Sequence, residues 1–102
     1  MSELASDMIR ETLLYSGQVQ GVGFRHTTAT LARNYAVAGY VQNLSDGRVR
    51  LVAEGAADEV QAFVDDLQET MMSYIQGVDS HRSVGTGEYG LPGPDGAFRI
   101  KL

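Results

Sequence analysis

Between Thr12 and Tyr35 the spacing of apolar residues switches from a strand period to a helix period across four residues, Gln20-Gly21-Val22-Gly23. Thr12 to Val19 (TLLYSGQV) is rich in Leu, Tyr and Val and reads as a β-strand. From Phe24 onward, Phe24, Thr28, Leu31, Ala32 and Tyr35 recur at the spacing that puts them on one face of a helix. Two glycines in the intervening four residues break regular structure, so a turn joins strand and helix directly. Backbone N–H groups of such a turn can point inward together, and the helix N-terminus adds its own donors, which makes the junction a natural seat for an anion.

The remaining chain supplies four further strands and a second helix. Val37 to Leu44 reads as a strand, Asp46-Gly47 as a hairpin turn, and Arg48 to Glu54 as a half-buried strand. In that strand Val49, Leu51 and Ala53 share one face, while Arg48, Arg50 and Glu54 share the other. After Gly55, Val60, Phe63, Val64, Leu67 and Met71 form the stripe of a helix whose first turn carries Asp58 and Glu59, suited to the helix dipole. Val78 to Thr86 reads as an unusually polar strand, Gly87 to Gly96 as a loop, and Ala97 to Leu102 as a closing strand. The order βαββαβ plus a short final strand predicts an α+β protein of ferredoxin-like type, a two-layer sandwich with two helices on one face of an antiparallel sheet. Residues 1–11 are expected to be a flexible flank and residues 12–102 one domain. A fold of this kind serves many functions, so chemistry has to come from particular residues.

Composition narrows the possibilities. The 102 residues include 8 basic and 13 acidic side chains, a formal charge of -5. A domain built to grip nucleic-acid backbones is normally basic, so nucleic acid is not the expected partner. Cysteine is absent, which removes disulfides, thiolate nucleophiles and cysteine metal sites. No apolar run is long enough for a membrane span, and the N-terminus carries no signal-peptide core, so the expectation is a cytoplasmic protein without a membrane partner, and a monomer.

The segment Gly17 to Arg25 (GQVQGVGFR) carries the chemistry. Arg25, at the edge of the glycine turn, offers a planar fork matched to phosphate or carboxylate oxygens. The segment is not a P-loop, because Gly23 is followed by Phe24-Arg25 in place of Lys-Ser/Thr. It is not a dinucleotide fingerprint either, because His26 stands where the third glycine belongs. Taken singly, Arg25 could be a surface residue, and Asn43 could cap the Asp46-Gly47 turn.

The stretch Gly17 to Arg25, with a glycine, Val-Gln-Gly-Val and an aromatic–arginine pair, resembles the first signature of the acylphosphatase family. Gly39-Tyr40-Val41-Gln42-Asn43, continuing through Gly47-Arg48-Val49 to Glu54-Gly55, resembles the second. The likeness extends from about Thr12 to Leu102. It implies hydrolysis of the carboxyl–phosphate bond of acyl phosphates to carboxylate and inorganic phosphate, with no metal and no cofactor. Carried over, Arg25 binds the phosphoryl group together with the loop Gln20, Gly21, Val22, Gly23, Phe24 and Arg25. Asn43 orients the attacking water, and the substrate phosphate accepts the water proton.

Other readings compete with this one. A catalytically silent anion-binding or regulatory module of the same fold would keep the loop, but it would have no use for Asn43. The acylphosphatase-like domain of hydrogenase-maturation proteins, which handles carbamoyl phosphate, is expected to come with further domains. His26, next to Arg25, reads as a surface or capping residue, and His81 has no evident partner. Two positions depart from the family pattern. Gln18 stands where many relatives carry a basic residue. Ala36 stands where glycine is usual, and positive φ there would strain a Cβ, so either the turn differs locally or stability is lowered.

Overall fold

A computed structural model describes residues 8–93 and 97–102. Its elements are β1 (Met8–Gly17), α1 (Phe24–Ala32), β2 (Val37–Asn43), β3 (Val49–Ala56), α2 (Ala57–Thr70), β4 (Ile75–Val84) and β5 (Phe98–Lys101). The strands form one sheet in the order β4-β1-β3-β2-β5. β1 and β3 pair antiparallel at the centre, with Leu13 opposite Leu51 and Tyr15 opposite Val49. β2 pairs with β3 in the register Val41–Leu51 and Asn43–Val49. The result is the expected ferredoxin-like α+β sandwich, with one difference. β5 lies parallel to β2, so the sheet is mixed and not wholly antiparallel.

That difference follows from the path of the chain. β4 occupies one edge and β5 the other, so the segment between them crosses the sheet. Ala97 closes the crossing by accepting a hydrogen bond from the Gly39 N–H at 2.9 Å. β1 also starts at Met8, earlier than expected, and ends at Gly17. Of the expected flank, residues 8–11 are therefore strand, and residues 1–7 lie outside the described residues, as do residues 94–96 of the expected loop.

The core lies between the sheet and the helices. Leu13, Tyr15, Val41, Val49, Leu51 and Ala53 meet Phe24 and Ala32 of α1 and Val60, Phe63 and Leu67 of α2, all essentially excluded from water. Burying each large apolar side chain stabilises the fold by about 1.5–3 kcal/mol. The tilted ring pair Tyr15–Phe24, 5.3 Å between centroids, ties the start of α1 to the sheet. Burial also pushes the Tyr15 hydroxyl above the ordinary phenol range, and it donates to Gln68 Oε1 at 3.1 Å.

Three local features are decided by the folded chain. Ala36 does not take positive φ, since no non-glycine residue among those described does. Its N–H instead donates to Glu59 Oε1 at 2.7 Å, so the chain leaves α1 through a turn that a Cβ can occupy without strain. Glu54, expected on a half-solvated face, is fully buried beneath the crossing segment. It accepts from Arg10 Nε at 2.7 Å, Thr86 N at 3.1 Å and Gly87 N at 3.0 Å. Asp66 of α2 is half-buried and accepts from the Tyr35 hydroxyl at 2.8 Å.

Candidate active site

One end of the sandwich gathers the turn after β1, the N-terminus of α1 and the last residues of β2 and β5. Glycine shapes the turn: Gly21 and Gly23 both lie at φ 79°, a region where a Cβ is strained. Gly23 is also the N-cap of α1 and brings no side-chain oxygen to the helix start, and no acidic residue stands in the first turn. The first backbone N–H of the helix to find an acceptor is that of Thr27, which donates to Gly23 O at 2.9 Å. The N–H groups of residues 20–26 have no acceptor among the described residues. They remain available to an anion, with the positive end of the helix dipole behind them.

Gln20 holds this turn in place. Its side-chain amide donates to Leu44 O at 2.8 Å and to Arg48 O at 2.9 Å, so the glycine turn is fastened to the β2–β3 turn. Across that second turn, Asp46 accepts from the Arg48 guanidinium, Nε at 2.9 Å, and Arg48 holds the Asp46 carboxyl below its usual range. The other side of the glycine turn is anchored through Gln18 N, which donates to Tyr74 O at 3.0 Å.

Arg25 and Asn43 converge on one cavity of about 250 Å³, whose polar wall also includes Gly21, Gly23 and His26. Arg25 is half-buried and forms no ion pair among the described residues. Asn43 ends β2 on the helix face of the sheet, in one row with Val49 and Tyr15. Its Oδ1 is buried with no hydrogen-bond partner among the described residues. Leaving a buried acceptor unmade costs about 1–3 kcal/mol, so an orphan of this kind needs a functional explanation. The apolar wall is made by Val19, Phe24, Ile100 and Leu102.

Most of the residues singled out in the sequence thus come together. Gly21, Gly23, Phe24, Arg25 and Asn43 all face the cavity. Gln20 and Val22 do not line it: Gln20 braces the turn with its side chain, and Val22 packs against the core. Gln18 is exposed and away from the cavity wall, whereas His26 is exposed at its rim. Ile100 and Leu102 were not anticipated. Alternation places Ile100 on the helix face of β5, but only the pairing of β5 beside β2 brings it to the site. Among the described residues no Asp or Glu side chain lines the cavity, and none form a cluster of His, Asp and Glu able to hold a metal ion. No described helix is long and apolar enough to cross a membrane.

Fold and cavity together define an α+β sandwich with acceptor-free backbone N–H groups at a helix N-terminus and a buried amide oxygen in the same cavity. The acylphosphatase family model matches residues 11–90. An acylphosphatase of Paenarthrobacter aurescens is 39% identical over 87 residues, covering 84% of this chain and 93% of its own. One from Bifidobacterium longum is 46% identical over 63 residues, covering 62% of this chain and 65% of its own. The crystal structure of acylphosphatase from Bacillus subtilis superposes with a TM-score of 0.78 at 28% identity, over 92% of this chain and 99% of that one. The chain belongs to the acylphosphatase family, hydrolases that act on the carboxyl–phosphate anhydride bond of small acyl phosphates.

Proposed function

We propose that this cavity hydrolyses acyl phosphates by direct attack of water on phosphorus, with Arg25 and the turn amides holding the phosphoryl group and Asn43 holding the water. One observation carries this reading: Gly21, Gly23, Phe24, Arg25 and His26, whose N–H groups have no acceptor among the described residues, line the same 250 Å³ space as Asn43 with its orphaned Oδ1. The donors carry the sign that the equatorial oxygens of a phosphoryl group require. The Asn43 oxygen can only accept, so it suits a water O–H and repels a phosphate oxygen.

The chemistry asks little more of the protein. The water oxygen forms a bond to phosphorus while the P–O bond to the carboxyl oxygen breaks. The bonding pair leaves with a carboxylate, a stable anion near neutral pH. The water proton ends on the released phosphate, so no protein base is required. The transition state is loose and its charge lies on the equatorial oxygens, where positioning and fixed positive dipoles are most effective. Arg25 and the amides supply that positive charge without a metal ion. The reading further assigns the protein to the cytoplasm as a monomer without nucleic-acid partners, in keeping with its acidity and lack of cysteine.

Benzoyl phosphate hydrolysis in excess chelator tests this division of roles. Arg25→Ala should lower kcat/KM by about 10²–10³-fold and abolish competitive inhibition by inorganic phosphate. Asn43→Ala should lower kcat by about 10²–10³-fold, the loss seen when an oriented polar group is removed, while keeping the phosphate inhibition constant. Equal weakening of phosphate binding in both variants would contradict the assignment, and full activity that depends on added metal would exclude it.

A further inference from the structure

The sheet face turned away from the helices borders a second cavity, of about 440 Å³. Side chains alternate along β2, so with Val41 in the core beneath the helices, Tyr40 points to the other face. There its register partners are Val52 of β3 and Arg99 of β5. The lining of the cavity comes from three places: Gly39 and Tyr40 of β2, Arg99 and Lys101 of β5, and Glu88 and Tyr89 of the segment that crosses the sheet. The Tyr40 and Tyr89 rings meet edge to face with centroids 5.7 Å apart, and Lys101 Nζ lies 4.7 Å from the centre of the Tyr40 ring. Glu88 is already committed to Arg10. Arg99 and Lys101 are exposed and form no ion pair among the described residues. An acidic protein thus gathers two cations and two aromatic rings around one compartment.

None of these six residues borders the cavity of Arg25 and Asn43, so the hydrolytic reading leaves them unexplained. We propose that this compartment is a second binding site, and that its ligand is a nucleoside monophosphate. The planar fork of Arg99 and the Lys101 ammonium together balance the charge of one phosphomonoester. The tyrosine rings supply flat surface against which a base can pack, with hydroxyl groups at its edge. The volume lies in the range of roughly 300–1,000 Å³ typical of small-molecule sites. A polymer strand fits less well. The crossing segment covers the neighbouring row of the sheet, where Ala38 and Glu54 are fully buried, so the face offers one compartment and no continuous track.

The experiment follows the backbone amide resonances of the full chain by NMR during titration with AMP, ribose 5-phosphate and adenosine. It uses the parent, Arg25→Ala, Tyr89→Ser and the double variant Arg99→Gln/Lys101→Gln. AMP should shift the amides of Gly39, Tyr40, Tyr89 and Lys101 saturably. Arg25→Ala should leave that affinity within about twofold, which separates this site from phosphate held at the phosphoryl cavity. The double variant should weaken AMP by about tenfold, the loss of two charge-assisted contacts at an exposed site. Ribose 5-phosphate and adenosine should each bind about tenfold more weakly than AMP, since each lacks one half of the recognised group. Tyr89→Ser should weaken AMP by about fivefold and leave ribose 5-phosphate unchanged. Shifts confined to residues 20–26 overturn the second site, as does unchanged AMP affinity in the double variant. Equal affinity for AMP and ribose 5-phosphate overturns the nucleotide assignment, because a bare anion patch would then suffice. Should a variant unfold, the ranking of the three ligands on the parent decides the matter.

Discussion

At the scale of single residues, backbone conformation explains why each signature contains the glycines it does. Gly39 opens the second signature at φ 139°, and a Cβ built there would stand 1.9 Å from the backbone carbonyl oxygen of Val52. Backbone cannot yield as a side-chain tip can, so Gly39→Ala is expected to cost about 3 kcal/mol or more, combining steric overlap with unfavourable φ. Urea unfolding of the variant measures it; a loss below about 1 kcal/mol would mean that β2 and β3 can separate locally. Gly21 and Gly23 differ, because nothing lies within 4 Å of a Cβ at either position. Their requirement is conformational: both lie at φ 79°, where a Cβ is strained. Ala36 marks the limit of such reasoning: a glycine habit in relatives is not a positive φ in this chain.

Elements meet at the site because two turns are tied together. The Gln20 side chain donates to the Leu44 and Arg48 carbonyls at once, so the glycine turn is fastened to the turn that follows Asn43. Each neutral hydrogen bond contributes only about 0.5–1.5 kcal/mol, so Gln20→Ala should cost roughly 1–2 kcal/mol of stability. Its larger effect belongs to binding, where the phosphate inhibition constant should weaken about three- to tenfold because the donors lose their fixed geometry. Inhibition kinetics with inorganic phosphate read this directly, and an unchanged constant would leave the glycines alone responsible for the turn. The edge strands show the same dependence on neighbours. β4 is exposed along nearly all its length, which suits an edge that must not recruit another strand and explains why its sequence is so polar.

For the molecule as a whole, the least expected feature is the buried ion pair under the β4–β5 crossing. Desolvation pushes the Glu54 carboxyl up, but the N–H of Thr86, the Arg10 guanidinium and the N–H of Gly87 together outweigh it, and it stays below its ordinary range. Arg10 also pairs with Glu88 and lies 5.0 Å from the centre of the Tyr89 ring, so one cluster fastens the crossing segment to the sheet. A carboxyl held low in the folded state contributes stability that is present above its unfolded value, near pH 4.3, and is lost as pH falls through the lower folded value. Acid titration of the unfolding free energy should therefore decline below about pH 4.5, and Glu54→Gln should flatten that decline. At neutral pH, Glu54→Gln should destabilise the protein by about 2–4 kcal/mol, because it weakens a buried pair and leaves donors poorly matched. A pH profile identical to the parent's would remove Glu54 as the source.

Periodicity made both helices and the central strands legible, because side-chain spacing reports directly which face an element buries. The glycine turn between β1 and α1 was legible for a related reason: a run of consecutive backbone amides without acceptors is a local arrangement, written in a few adjacent residues. Pairing between distant strands decided the rest. The sequence could not indicate that β5 would add parallel to β2, that Ile100 and Leu102 would thereby reach the cavity, or that Glu54 would be sealed beneath residues more than thirty positions away. Local conformation is set by the rotational preferences and period of neighbouring residues. Burial and register are set by which distant surfaces exclude water from one another, and that is a property only the assembled fold possesses.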